Sequence, residues 1–148
     1  MDTINQGSEG IQVAARHRTL LIIWFAILMS VGIMFFITFM IQRPATVSND
    51  NTLLWVFMAA SVFPLIFSFV LKRKLLAQSV MEQRLELVQT ALILAVALCE
   101  AVGVLGLVVY FTTATPYYYI FFIVSVIGIL LHMPRRDQLL AASFKALS

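Results

Sequence analysis

The chain has 148 residues, of which 61% are hydrophobic and 11% charged, far below the roughly 25% charged content of an ordinary soluble domain. This composition excludes a separate soluble domain and reads as one integral-membrane domain covering residues 1–148. The net charge of +3 does not point to nucleic acid, because the basic residues flank apolar runs without interleaved stacking aromatics.

Residues 1–19 are polar and end in Arg16, His17 and Arg18. The run 20–41 follows, twenty-two residues that exceed a secretory h-region and lack a following A-x-A-like cleavage site, so it reads as a retained transmembrane helix. Residues 42–52 hold Pro44, Ser48, Asn49, Asp50 and Asn51, a cluster of turn formers with Arg43 as its single cation. The second span, 53–71, carries Pro64 in its interior; this predicts a kink, with neighbouring helices or Ser61 and Ser68 able to help satisfy the freed backbone.

Lys72, Arg73 and Lys74 end that span, and 75–87 is amphipathic enough to continue as helix into the third span, 88–111. The segment 112–116 is short enough to force a fourth span, 117–133, to return beside the third. At seventeen residues, it is at the lower limit for crossing. The fold class is therefore all-α, with four transmembrane helices. Four spans place nine of the ten Lys and Arg residues on one side, with Arg43 alone on the other, so both termini are expected to be cytoplasmic and the location a plasma (inner) membrane. Tyr110, Tyr117, Tyr118 and Tyr119 gather at the opposite interface with Trp55, and Trp24 lies near the cytoplasmic one. Lys72, Arg73, Lys74, Arg135 and Arg136 read first as topology determinants and second as a surface for anionic lipid.

Glu100 is the one carboxylate in the third span, and it sits near the bilayer midplane. A charged group there costs about 2.5 to 3.5 kcal/mol on insertion scales and persists where it is paired, neutralised or used. No Lys, Arg or His lies deep within a span, so desolvation favours a carboxyl that keeps its proton. By depth, Ser30, Ser61 and Tyr119 fall within about two turns of it and are its candidate hydrogen-bond partners. Ala91, Ala95, Cys99 and Gly103 recur every four residues beside it, a small-residue stripe that admits a close neighbour. Two roles stay open for Glu100: a proton reservoir, or neutral polar glue between helices.

The remaining features are plainer. The tyrosine run reads as an interfacial anchor. His132 reads as an interfacial residue at the membrane edge that could also hold a pigment or metal. The Phe and Met residues read as lipid-facing or core. No nucleophile–base pair, Gly-rich phosphate loop, or His/Cys metal spacing is present, so no catalytic or metal site is expected, and the chain does not read as an enzyme. A single cysteine forms neither an internal disulfide nor a multi-cysteine metal site.

The segment Ala97-Leu98-Cys99-Glu100-Ala101 through Gly106-Leu107-Val108-Val109, preceded by a basic loop containing Gln and Arg, resembles the second helix of the rotary ATP synthase proteolipid, subunit c, and the resemblance extends over residues 72–111. In that family a mid-membrane carboxylate is followed six residues later by Gly-Leu-Val, as Glu100 is here. The resemblance implies that Glu100 occupies the position of the ion-carrying carboxylate, in a hairpin of the same orientation. The expected function is thus a small membrane subunit of a larger, bioenergetic complex, with Glu100 on a proton pathway. The alternative is a non-catalytic accessory subunit that binds protein, lipid or pigment. Membrane lipids and other integral-membrane subunits are the expected partners in both, and no cofactor is required by either.

Overall fold

The structure is a computed structural model that describes residues 2–41, 52–82, 84–113, 115–135 and 137–139. Within them the chain is almost wholly helical: α1 (Asp2–Met40), α2 (Thr52–Glu82), α3 (Leu85–Thr112) and α4 (Tyr119–Leu131), the last preceded by one 3-10 turn at Pro116–Tyr118. Three helices, α1 to α3, are long and apolar enough to cross a membrane. The loop expected at 42–52 lies, apart from Thr52, outside the described residues, as does Arg136.

Helix ends do not coincide with the span ends expected from the sequence. α1 starts at Asp2, well before the apolar run, and no proline interrupts 2–19. α2 passes through Lys72, Arg73 and Lys74 and continues to Glu82, because the residues after the basic triplet are mostly good helix formers, so charge stops the span without stopping the helix. The reversal comes later, where Arg84 adopts an extended backbone ahead of α3 (φ −110°, ψ 109°). α2 is also a single helix through Pro64. Ser61 and Ser68 do not cap the carbonyl that proline frees at Ala60: their hydroxyls donate to Met58 O and Leu65 O, each at 2.7 Å.

α3 is the helix on which the others pack. α1, α2 and α4 all lie against it, α4 also touches α1 and α2, and α1 and α2 do not pack on each other. α1 runs parallel to α3: Leu20 clusters with Val88 and Leu92, Ser30 meets Glu100, and the Tyr110 hydroxyl donates to Ile41 O. α2 and α4 run antiparallel to it, with Ser68 beside Cys99 and Gly128 beside Cys99. Leu139 joins the Leu20, Val88 and Leu92 cluster, so the segment after α4 returns to the end of the bundle at which the apolar run of α1 begins.

Close approach comes from small residues. A Cβ on Gly106 would stand 2.8 Å from Phe121 Cβ, one on Gly128 2.8 Å from Cys99 Sγ, and one on Gly103 3.2 Å from Ser125 Oγ. As the α3 partner of these pairs advances along its helix, the α4 partner recedes by nearly the same number of residues, as along one straight antiparallel α3–α4 seam. On α2 the buried positions are Leu54, Ser61, Ser68 and Ser79, three of them serines whose small side chains face the hub. The bulky residues of α2 point the other way: Trp55 is 67% exposed and Phe63 71%, as suits rings in hydrocarbon.

These contacts give a test by glycine. Gly106→Ala forces a methyl into Phe121 and should lower the thermal stability of the detergent-solubilised protein by about 1–3 kcal/mol. A Cβ on Gly32 would meet nothing within 4 Å, so Gly32→Ala should be neutral or stabilising by up to about 1 kcal/mol through helix propensity. Equal melting shifts for the two variants would dismiss the seam.

Candidate functional site

Glu100 sits halfway along α3, on its α1-facing side. Ser30 Oγ donates to Glu100 Oε1 at 2.6 Å, joining two helices seventy positions apart in sequence. Among the three partners expected from depth, the structure brings Ser30 to the carboxyl. Ser61 lies on α2, which packs against a different face of α3, with its hydroxyl given to Met58 O. Tyr119 is 41% exposed and stacks edge-on against Tyr118. Depth alone put the three hydroxyls level; the direction each faces around its helix separates them.

The carboxyl is half-buried. Beside it on α3, Ala97, Ala101 and Val104 form an exposed strip, which lies in the open angle between α1 and α2. Among the described residues the one ion pair is Arg84 with Glu82 at 3.9 Å, so Glu100 is held by a hydroxyl and not by a cation. A hydroxyl donates to a carboxylate and accepts from a carboxylic acid. The same partner therefore serves both protonation states.

The expected stripe of Ala91, Ala95, Cys99 and Gly103 is fully buried. Its members face more than one neighbour. Cys99 Sγ lies 3.8 Å from Ser68 Oγ of α2 and abuts Gly128 of α4, and Gly103 lies between Ser125 and Val31. Ser125 Oγ donates to Cys99 O at 2.7 Å, a bond between α4 and α3 that sequence reasoning missed. Gly106 and Gly128 were missed as packing positions as well; Gly106 stands three residues after Gly103 and so falls outside the four-residue spacing of the stripe.

Several residues expected at a membrane interface make contacts within the bundle. Tyr110 is 5% exposed, with its hydroxyl on Ile41 O, so it clamps α1 to α3. Trp24 Nε1 donates to Ile129 O at 2.8 Å and ties α1 to α4. Trp55 and Tyr117 are exposed, Tyr118 is half-buried, Lys72 is half-buried, and Arg73, Lys74 and Arg135 are exposed. His132, expected at the membrane edge as an interfacial residue, is fully buried, because α4 ends at Leu131 and the ring turns back to place Nδ1 2.7 Å from Gly128 O.

No group of three His, Cys, Asp or Glu side chains able to hold a metal occurs among the described residues. A groove of about 370 Å³ lies between α1 and α4, floored by Gly32 and walled by Phe35, Phe122, Ile123 and Val126, with Tyr119 at its edge. The groove is apolar but for that phenol. No protein-family model, curated protein or solved structure matches the chain.

The Ser30–Glu100 bond is open to a double-mutant cycle. Ser30→Ala and Glu100→Ala, measured singly and together by thermal unfolding in detergent, should show a coupling of about 0.6–2 kcal/mol, the range for interhelical hydrogen bonds in membranes. Strictly additive losses would mean that the bond does not hold α1 to α3.

Proposed function

We propose that this protein is a multi-pass subunit of a larger, bioenergetic membrane complex in which Glu100 takes up and releases a proton. The observation that carries the reading is the state of Glu100: midway along the central helix, half-buried beside an exposed strip, and bonded to a hydroxyl. Glue needs a partner but no outlet; a proton carrier needs both. A serine partner leaves either charge state bonded, whereas a lysine or arginine would hold the carboxylate ionised.

The α2–α3 pair from 72 to 111 is proteolipid-like in this reading. An antiparallel hairpin packed through small side chains, with a carboxyl at the midpoint of its second helix, supports the likeness. The chain departs from that family in having no glycine in 53–71, but the serines on the buried face of α2 supply small surface there instead. The accessory-subunit reading is favoured by one observation of its own: the Ser30–Glu100 bond is a cross-link between α1 and α3 whatever else the carboxyl does.

Four crossings of a plasma (inner) membrane, with both termini cytoplasmic, complete the proposal. Nine of ten Lys and Arg residues then lie on the cytoplasmic side, and the return of Leu139 to the Leu20 end supports a fourth crossing. Thirteen residues of α4 rise about 20 Å against a hydrocarbon core of about 30 Å. The 3-10 turn and the residues after Leu131 must therefore span the remainder, or the bilayer must thin locally.

Topology is checked by reporter fusions at Asn49 and Ser148, both outside the described residues. The expectation is an external Asn49 and a cytoplasmic Ser148; an external Ser148 reverses the orientation. For the carboxyl, a hydrophobic carbodiimide, which reacts with protonated acids, should label Glu100 in membranes and leave Glu100→Gln unlabelled. Glu100→Gln should assemble with the parent complex and abolish its proton-coupled activity. Full activity in an assembled Glu100→Gln complex would leave the structural role standing alone.

A further inference from the structure

Two contacts fix α4 against α1. Trp24 Nε1 donates to Ile129 O at 2.8 Å, and further along the pair the Phe35 and Phe122 rings lie with centroids 5.3 Å apart. Both must break before the helices can close on the groove of about 370 Å³ that runs along their seam. Gly32 keeps that groove open, since a Cβ there would meet nothing within 4 Å. The space is more than twice the roughly 150 Å³ of an apolar cavity that takes up benzene.

Its place along α1 sets its depth. Val31, at the inner end, stands at the middle of the apolar run 20–41. Phe122 meets Phe35, and Tyr119 lies one turn further along α4 towards the Ile41 end. From Ile127 to Tyr119 the groove follows α4 for about 12 Å of helix rise, within half of a hydrocarbon core of about 30 Å. It therefore belongs to one leaflet. The inner end is wholly apolar, and the outer end carries a phenol, a ring with a polar tip of the kind that suits the edge of the hydrocarbon.

We propose that this groove binds one acyl chain of a phospholipid from the leaflet at the Ile41 end of α1, with the polar end of the lipid at Tyr119 and the chain end at Ile127. The occupant is a chain and not a second protein for two reasons. Eight residues line the groove, whereas a stable protein–protein interface takes roughly 20–30 residues a side. Helices in membranes also meet through small residues, and here the α4 rim is formed by Ile123 and Ile127, 52% and 51% exposed. These branched side chains hold a straight helix off the Gly32 floor, while a flexible chain bends past them. The site is independent of Glu100 and of what the carboxyl does.

The test uses the full-length chain in phosphatidylcholine vesicles containing a small fraction of phosphatidylcholine with a photoactivatable diazirine at mid-chain, and reads the labelled residues by mass spectrometry. Phe63 and Ile66 of α2, 71% and 60% exposed, are more open to lipid than Ile123 and Ile127. Lipid that merely surrounds the bundle labels α2 more. A chain held in the groove reverses that order: Ile123 and Ile127 should be labelled roughly fivefold more than Phe63 and Ile66, through the added carbon–carbon contacts. Gly32→Leu, whose Cβ enters open space, should remove the excess and leave the α2 labelling unchanged. A diazirine near the ester should label Tyr119 and one at the chain end Ile127. Labelling that follows exposure, an excess that survives Gly32→Leu, or the opposite order along the chain would each overturn the proposal. An unlabelled groove in a chain that runs as a dimer, returned to a monomer by Gly32→Leu, would assign the groove to a second copy and overturn it as a lipid site. Should Gly32→Leu not fold, Val126→Phe fills the groove from the α4 wall and decides the matter by the same readout.

Discussion

Everything in this bundle depends on how closely α3 lets its neighbours approach. In a bilayer the hydrophobic effect does not pull helices together, since lipid chains solvate apolar side chains as well as other helices do. What remains is dispersion at short range and a few hydrogen bonds, both of which need backbones to come near. Ala91, Ala95, Cys99, Gly103 and Gly106 give α3 a surface with almost no relief, and Gly128 and the α2 serines answer it from the other side. With α3 committed on three sides, its fourth side, along Ala97, Ala101 and Val104, carries no helix among the described residues. The position of Glu100 at the edge between α1 and that bare strip follows from this division of the surface.

The hydrogen bonds follow the same pattern. Trp24 to Ile129 O, Ser125 to Cys99 O, Tyr110 to Ile41 O and Ser30 to Glu100 each run between two helices. The first three end on backbone carbonyls, acceptors that are always present and never titrate. Only the bond to Glu100 ends on a group that can change charge. If it were simply one more tie, a carbonyl would have served at no desolvation cost, whereas a carboxyl near the midplane carries a penalty of about 2.5 to 3.5 kcal/mol on insertion scales. That difference favours the proposal that the carboxyl does more than hold α1 to α3.

The long apolar runs, the helical continuation past Lys74 and the small-residue stripe were legible in the sequence because each depends on composition or on spacing along one helix. What was not legible depends on rotation about the helix axis. Counting depth made Ser30, Ser61 and Tyr119 equal candidates, since rise per residue fixes level and says nothing about azimuth. For the same reason α2 looks too bulky for close packing when its Phe and Trp residues are simply counted, yet Trp55 and Phe63 face outward while Ser61, Ser68 and Ser79 face α3. The burial of His132 was not legible for another reason. An apolar run through Met133 suggested a helix of the same extent, but α4 ends at Leu131, and the histidine folds under it onto Gly128 O.

The open angle between α1 and α2 carries one further consequence for the chemistry of Glu100. α1 closes one side of the carboxyl, and the body of α3 with α2 and α4 behind it closes another. The exposed strip is the side left for exchange with anything outside the bundle. In hydrocarbon alone a carboxyl has no base to release a proton to, and the described residues supply no other titratable side chain bonded to it. Net proton transfer through Glu100 therefore requires a polar group brought to the Ala97–Ala101 strip from beyond the described residues. A carrier role makes the protein dependent on a partner helix at that angle, and a purely structural role does not. The two readings of Glu100 are thus also two different statements about whether this bundle is complete by itself.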